Sequence, residues 1–189
     1  MISRRALFAL LALLVTALLG AIAPARAQSD VDRALEHRVK AAFLYRFTEF
    51  VTWPDAAYAR ADAPFVMAVV GPGADAVAEN LRAITAGRSI GGRPIEVRRL
   101  GASEPIAAAQ LVYVAGSDLA RAREVMQKAP RHALVVTETD GALEHGAVVN
   151  FVVAQERVRF DASIESAEKR GLRLSSRLLA VARAVRANY

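Results

Sequence analysis

The sequence contains no cysteine, and this absence removes several classes of protein from consideration. Without cysteine there can be no disulfide, no thiolate nucleophile, no zinc–cysteine site, no thiol redox sensor and no lipidated cysteine. The chain must be held together by ordinary packing, which its 54% content of hydrophobic residues supports.

The motifs that mark common enzymes and metal sites are also absent. The three histidines, His37, His132 and His145, stand in no HExxH pattern and pair with no other ligand type at helical spacing. The sequence has no G-x-S-x-G nucleophile elbow and no phosphate-binding P-loop. We therefore expect no catalytic residue, no metal and no cofactor.

The first 27 residues have the composition of an export signal. Two arginines precede an apolar stretch at residues 8–19, and the small-x-small triplet at residues 25–27 is typical of a signal peptidase site. These features predict cleavage after Ala27 and an exported mature chain of residues 28–189, a suitable length for a single domain.

Two alternatives concern this leader. Residues 6–23 are just long enough to span a bilayer, so an uncleaved N-terminal helix could anchor the protein, although Gly20 and Pro24 favour cleavage. The pair Arg4 and Arg5 resembles a twin-arginine signal, while the strongly apolar stretch that follows favours the general secretory route.

The mature chain is only mildly basic. The formal charge of the whole chain is +6, and removing residues 1–27 takes away three arginines. Lysine and arginine then number 22 against 19 acidic residues, which leaves a charge of +3. Such a small excess in an exported protein argues against a nucleic-acid partner.

The aromatic residues concentrate in one segment near the start of the mature chain. Phe43, Phe47 and Phe50 follow one another at spacings of four and three, which predicts a helix over residues 31–51 with these rings on one buried stripe. The helix should end by Trp53, because a proline follows and disfavours helical geometry in the residue before it.

Short apolar runs alternate with helical patterns through the rest of the chain. Runs at residues 65–70, 111–114 and 133–137 are typical of strands buried on both faces, as in parallel sheets. A hairpin is predicted around residues 155–156. A final helix is predicted over residues 164–188, with an interruption at Gly171 as the alternative to a continuous helix. These patterns predict an α/β fold, a single three-layer domain with a mainly parallel sheet flanked by helices and an antiparallel hairpin near one edge.

A ligand crevice is one candidate site. Gly71 and Gly73 follow the first buried strand, and Glu138 and Asp140 follow the third, so all four could meet at the carboxyl end of a parallel sheet. Pro72 removes an amide that an anion would need, so a structural turn is the favoured reading of the glycine loop.

A surface that binds a protein partner is the other candidate site. Tyrosine and tryptophan are frequent interface anchors, and a basic helix face could contact an acidic partner, although such a face is more often simply solvated. We expect the partner-binding residues to be Tyr45, Arg46, Glu49 and Trp53 around the end of the first helix, with Arg173 and Arg177 as a second group.

Three segments, in this order, resemble the YfiR family. They are VKAAFLYRFTEFVTWP at residues 39–54, GRSIGGRPIEVRRL at residues 87–100, and GAVVNFVVAQERVRFDASIESAEKRGLRLSSRLLAVA at residues 146–182. The resemblance extends over essentially the whole mature chain. It implies a YfiR-like α/β domain with a parallel sheet flanked by helices.

The resemblance also implies a function. The characterised type of this family is a non-enzymatic periplasmic repressor that binds the periplasmic sensor domain of an inner-membrane diguanylate cyclase and so limits cyclic-di-GMP and biofilm formation. A sensor kinase is an alternative target, an outer-membrane lipoprotein can sequester the repressor, and some relatives form homodimers. A periplasmic small-ligand binding module remains the alternative function.

One departure from the family pattern matters. The type member carries cysteines whose disulfides bear on its redox response, and this chain has none. Redox-controlled release is therefore not expected here.

Overall fold

The computed structural model of the protein describes residues 22–101 and 104–187. The chain divides into two compact units, Met1–Glu36 and His37–Tyr189. Most of the predicted signal peptide, residues 1–21, lies outside the described residues. Among the residues that are described, no helix is both long and apolar enough to cross a membrane.

Helices and strands are interspersed along the described chain. The helices are α1 (Ile22–Phe47), α2 (Ala74–Thr85), α3 (Leu119–Lys128), α4 (Ile164–Lys169) and α5 (Ser176–Val181). The strands are β1 (Val51–Thr52), β2 (Phe65–Val70), β3 (Ser89–Ile90), β4 (Arg93–Leu100), β5 (Leu111–Val114), β6 (Leu134–Thr137), β7 (Val149–Ala154), β8 (Arg157–Ser163), β9 (Arg173–Leu174) and β10 (Ala184–Arg186). Two 3₁₀ helices span Asp55–Ala57 and Ala142–His145.

Eight strands form one sheet in the order β10-β8-β7-β6-β5-β2-β4-β3. The pairings from β4 through β2, β5 and β6 to β7 are parallel, as is the pairing of β10 with β8. The β7–β8 and β3–β4 pairs are antiparallel. The predicted fold class, a mainly parallel sheet with an antiparallel hairpin near one edge, is confirmed.

The sheet separates two apolar layers, because alternate residues of a strand point to opposite faces. Phe65, Met67 and Val69 of β2 pack on one side with residues of α1 and α2, whereas Val66 and Ala68 pack on the other side with α3. All six residues of β2 are buried. A strand with neighbours on both edges and helices on both faces requires such a continuous apolar run.

The β7–β8 hairpin turns at the predicted residues. Gln155 and Glu156 both have positive φ values, 52° and 59°, as the two central residues of a type I′ turn require. At the other end of β8, the side chain of Asp161 accepts two hydrogen bonds from Arg183, with Nε–Oδ1 2.8 Å and Nη2–Oδ2 2.5 Å. These bonds hold the start of β10 against β8. Strand β10 is the edge strand at this end of the sheet.

A continuous final helix over residues 164–188 is wrong, and the alternative, an interruption at Gly171, is confirmed. The chain forms α4, β9, α5 and β10 there, and the break comes at Gly171, whose φ is +71°. The amides of Gly171 and Leu172 donate to the carbonyls of Glu168 and Ala167, which closes the end of α4. The apolar spacing of this segment is that of a helix, but its apolar residues pack in separate short elements.

The first predicted helix ends earlier than its pattern indicates. Helix α1 stops at Phe47, and residues 48–50 form a turn in which the amide of Phe50 donates to the carbonyl of Phe47 at 3.1 Å. The expectation of a buried stripe is confirmed, because Phe47 is buried and Phe43 and Phe50 pack against the same apolar cluster.

Candidate functional site

The order of the strands places a topological switch point between β2 and β5. From β2 the chain moves through α2 to β4 on one side, and later returns to β5 on the other side. In open α/β sheets a ligand crevice commonly lies at the carboxyl ends of two such strands. The loops after β2 and β5 therefore decide whether a crevice exists.

These two loops are in direct contact. A Cβ added to Gly71 would lie 2.2 Å from the carbonyl oxygen of Ala115, and one added to Gly116 would lie 2.9 Å from Cγ of Pro72. Both glycines also have positive φ values, 109° and 105°. Only glycine allows the two loops to approach this closely. Gly73 is exposed on the outer side of the turn.

Behind this contact, the carboxylate of Glu138 accepts three hydrogen bonds. Lys40 Nζ of α1 lies 2.5 Å and the Tyr113 hydroxyl 2.6 Å from Oε2, and the amide of Gly116 lies 2.6 Å from Oε1. The side chains of Lys40 and Glu138 are only 6% and 20% exposed. We call Lys40, Tyr113, Gly116 and Glu138 the Glu138 cluster.

The charge on Glu138 is stabilised by these neighbours. Burial by itself would raise the pKa of this carboxyl, but the Lys40 charge and the hydrogen bonds from Lys40, Tyr113 and Gly116 outweigh burial and hold the pKa below its ordinary value of 4.5. The Gly116 amide, a donor that an anionic ligand could use at a switch point, is bound to the protein's own carboxylate.

The four residues of the predicted crevice thus differ in their surroundings. Gly71 and Glu138 are built into the contact between the loops and the Glu138 cluster, whereas Gly73 and Asp140 are exposed. Nearby, the Thr139 hydroxyl donates to the carbonyl of Gly116 at 2.7 Å. Among residues 22–101 and 104–187, no group of three or more histidine or acidic side chains is placed to hold a metal.

The aromatic residues predicted to bind a partner are half-buried. The guanidinium of Arg88 lies over the Tyr45 ring, 5.3 Å from its centroid. The Trp53 indole stands edge-on to Phe65 with 5.0 Å between ring centroids, and its N–H donates to the carbonyl of Gln110 at 2.9 Å. Both rings therefore have packing roles.

Gln110 is a structural residue that the sequence reading missed. It is 2% exposed, its Oε1 accepts from the amide of Val66 at 2.8 Å, and its Nε2 donates to the carbonyl of Ala57 at 2.6 Å. Together with the Trp53 bond, these contacts tie the segment after α1 to the start of β2. The feature of the sequence that could have indicated this role is the position of Gln110, a polar residue directly before the fully apolar strand β5.

The two predicted partner-binding groups come together in the structure. Strand β1 pairs antiparallel with β9, with Thr52 opposite Arg173, and the amide of Ser175 donates to the carbonyl of Phe50 at 2.8 Å. This small ladder joins the end of α1 to the start of α5. We call the exposed residues along it the exit surface: Arg46, Glu49, Thr52, Arg173 and Arg177.

Comparison with known proteins gives one family match. The model of the YfiR/HmsC-like family matches residues 37–183. Among curated proteins, none matches the chain.

A solved structure is also similar in part. It is a conserved domain protein from Vibrio cholerae O1 biovar eltor, with a TM-score of 0.47 and 13% identity. The similarity covers 64% of the present chain, which spans about half, 54%, of that protein.

Proposed function

The chain belongs to the YfiR/HmsC-like family, a family of periplasmic regulators, and on this premise we propose that it binds and restrains a membrane signalling protein. The proposed target is the periplasmic sensor domain of an inner-membrane diguanylate cyclase, and the proposed consequence is lower cyclic-di-GMP and less biofilm. The observation that carries the proposal is the family match over residues 37–183. In this proposal the protein acts in the periplasm and catalyses no reaction.

The exit surface is the proposed contact with that sensor domain. Its exposed side chains include three arginines, Arg46, Arg173 and Arg177, and one acid, Glu49. The β1–β9 ladder holds the elements that carry them in a fixed relation. A basic surface complements an acidic one, and complementary charge speeds encounter and limits binding to the wrong partner.

The alternative function, a small-ligand module with its crevice at the switch point, has less support. The two loops that would form the walls of the crevice touch at Gly71 and Gly116. The Gly116 amide is bound to Glu138. Entry of a ligand there would require the loops to separate.

A binding measurement tests the proposal. The purified protein and the isolated periplasmic domain of the cyclase are combined in biolayer interferometry, and we expect saturable binding. The double substitution Arg173→Glu/Arg177→Glu should weaken binding by about tenfold or more, because it places acids against an acidic surface. The matched control is Arg157→Glu/Arg159→Glu, which makes the same charge change at exposed positions of β8.

Two results would count against the proposal at different levels. If the unaltered protein does not bind and deletion of its gene leaves cyclic-di-GMP unchanged, the regulator function is wrong. If it binds but both double variants weaken binding equally, the function stands and the exit surface is not the contact.

A further inference from the structure

A groove of about 920 Å³ lies between α3, the second 3₁₀ helix, α4 and β10. None of the residues that line it belongs to the exit surface or to the Glu138 cluster. Its apolar lining includes Met126, Leu143 and Val185, and its polar lining includes Ser163, Ser166 and Arg170. We call it the α3–α4 groove. Its volume is that of a site for a small organic molecule.

Cations outnumber acids along this groove. Glu165 forms an ion pair with Lys169, and Glu144 forms one with Arg186 at 3.2 Å. The other two cations of the groove, Arg131 and Arg170, form no ion pair with any described residue. The groove therefore carries two positive charges that no ion pair with a described residue neutralises.

Arg170 is held in place before any ligand arrives. Its Nη1 donates to the carbonyl of Pro130 at 3.2 Å, and its Nη2 lies 3.5 Å from the carbonyl of Met126. A guanidinium has five N–H donors, so these two bonds leave others for a ligand. Burial lowers the pKa of Arg170, and a bound anion would offset this cost of desolvation.

Two hydroxyl groups lie at the inner end of the groove. Ser163 is 3% exposed and Ser166 is 8% exposed. The Ser163 hydroxyl donates to that of Ser166 at 3.1 Å and accepts the Ser166 amide at 3.1 Å. The Ser166 hydroxyl can therefore still donate to an anion. A small molecule can reach such buried groups, whereas a folded partner surface cannot.

We propose that the α3–α4 groove binds a small organic anion. Arg170 and the Ser166 hydroxyl hold its carboxylate or phosphate group, and Arg131 adds attraction at the rim. The apolar part of the molecule lies against Met126, Leu143 and Val185. The binding site is independent of the proposed partner contact, so the protein would bind this anion in the absence of any partner.

An NMR titration of the purified protein tests the site without a partner present. Phenyl phosphate and benzoate are the probes, and benzyl alcohol is the uncharged control with a similar apolar part. We expect saturable amide shifts at Gly146, Lys169 and Val185 with at least one anion and none with the alcohol. The anion that binds more tightly identifies the charged group as phosphate or carboxylate.

Substitutions separate anion binding from packing. Arg170→Lys and Ser166→Ala should each weaken binding. The first should do so by about tenfold, because an ammonium cannot keep the contacts of the guanidinium to Pro130 and Met126 and donate to the anion as well. Arg131→Gln should weaken it by about twofold to threefold, as expected for a rim charge. Arg121→Gln, an exposed arginine of α3 outside the groove, is the matched control and should have no effect. Circular dichroism checks that each variant is folded.

Three outcomes would overturn the proposal. In the first, neither anion shifts the amide signals of the groove. In the second, both anions bind, but Ser166→Ala and Arg131→Gln leave their affinities unchanged. In the third, a hexaglutamate peptide binds in an Arg131-dependent way while the small anions do not, which would identify the groove as a contact for an acidic protein segment.

Discussion

At the scale of single residues, Glu138 shows how one carboxylate can organise the carboxyl end of a sheet. It receives donors from α1, from the end of β5 and from the loop that follows β5. Because an ionised carboxylate only accepts hydrogen bonds, it can satisfy all three donors at once. A neutral side chain of the same size cannot do so.

Replacement of this carboxylate should therefore weaken the fold. We expect Glu138→Gln to lower the free energy of unfolding by about 2 kcal/mol at pH 7, because charge-assisted hydrogen bonds become neutral ones. Urea denaturation followed by circular dichroism measures the change. The exposed Asp140→Asn is the matched control and should stay within about 0.5 kcal/mol of the parent protein. Equal effects of the two substitutions would contradict the role of the cluster.

The pKa of Glu138 adds a pH dependence of known sign. Its pKa in the folded protein lies below the ordinary 4.5, so the unfolded chain takes up the proton first as the pH falls. The stabilisation is thus complete above pH 4.5 and is lost as the pH falls through the lower folded value. We expect the difference in urea midpoint between the parent protein and Glu138→Gln to shrink between pH 6 and pH 3. A constant difference would mean that Glu138 does not titrate in this way.

At the scale of elements, the C-terminal segment consists of short helices and strands, and the first break between them comes at Gly171. Gly171 ends α4 with a φ of +71°, and a Cβ at this position would lie 3.2 Å from Nδ1 of His132. That ring nitrogen is itself 2.7 Å from the carbonyl oxygen of Arg170. A side chain at residue 171 therefore meets both an unfavourable backbone conformation and a crowded neighbour.

Alanine substitutions can separate these two effects. Gly171→Ala should destabilise the protein by about 1–2 kcal/mol from its left-handed backbone alone, with a further loss from the contact with His132. Gly87 is a matched control, since its φ is +68° and a Cβ there would have no neighbour within 4 Å. Thermal unfolding should show a larger fall in Tm for Gly171→Ala than for Gly87→Ala. Equal falls in Tm would mean that the His132 contact costs nothing.

The edge strand β10 depends on the Asp161–Arg183 pair. Asp161 is buried, and the amide of Arg183 also donates to the carbonyl of Phe160 at 2.8 Å. We expect Asp161→Asn to speed hydrogen exchange at the amides of residues 184–186 by about tenfold, because the charged bidentate contact is lost. Arg186→Gln, which breaks only the exposed pair with Glu144, is the control. Unchanged exchange in Asp161→Asn would show that β10 is held by its backbone pairing alone.

At the scale of the whole molecule, positive charge lies on two separate surfaces. The exit surface and the α3–α4 groove are both basic, yet the chain as a whole carries only a moderate formal charge of +6. Local rather than net charge should therefore govern association with an acidic partner.

The proposed partner contact should depend on ionic strength. We expect the association rate with the cyclase domain to fall at least severalfold between about 0.05 M and 0.5 M salt, because the Debye length shortens to a few ångströms. Arg173→Glu/Arg177→Glu should remove most of this dependence, and Arg157→Glu/Arg159→Glu should leave it in place. Stopped-flow fluorescence measures the rates. An association rate that does not change with salt would argue for an apolar contact instead.

Local sequence patterns determined much of the architecture by themselves. The runs that form β2, β5 and β6 are apolar at every position, and the Gln155–Glu156 turn was identifiable from the two strand patterns beside it. The buried stripe of Phe43, Phe47 and Phe50 also followed from spacing alone. These features depend on periodicity and turn chemistry, which act over a few residues and can therefore be recognised without knowledge of the fold.

Only the tertiary structure decided what joins distant segments. The pairing of β1 with β9, the burial of Lys40 against Glu138 and the division of the C-terminal segment into four elements all depend on contacts across the fold. A helical spacing of apolar residues does not exclude a break at a glycine such as Gly171. Nothing in the sequence around Lys40 indicates that it pairs with Glu138, which lies 98 residues further along the chain. The helix break and the ion pair both depend on tertiary contacts, which form only when the sheet brings these segments together.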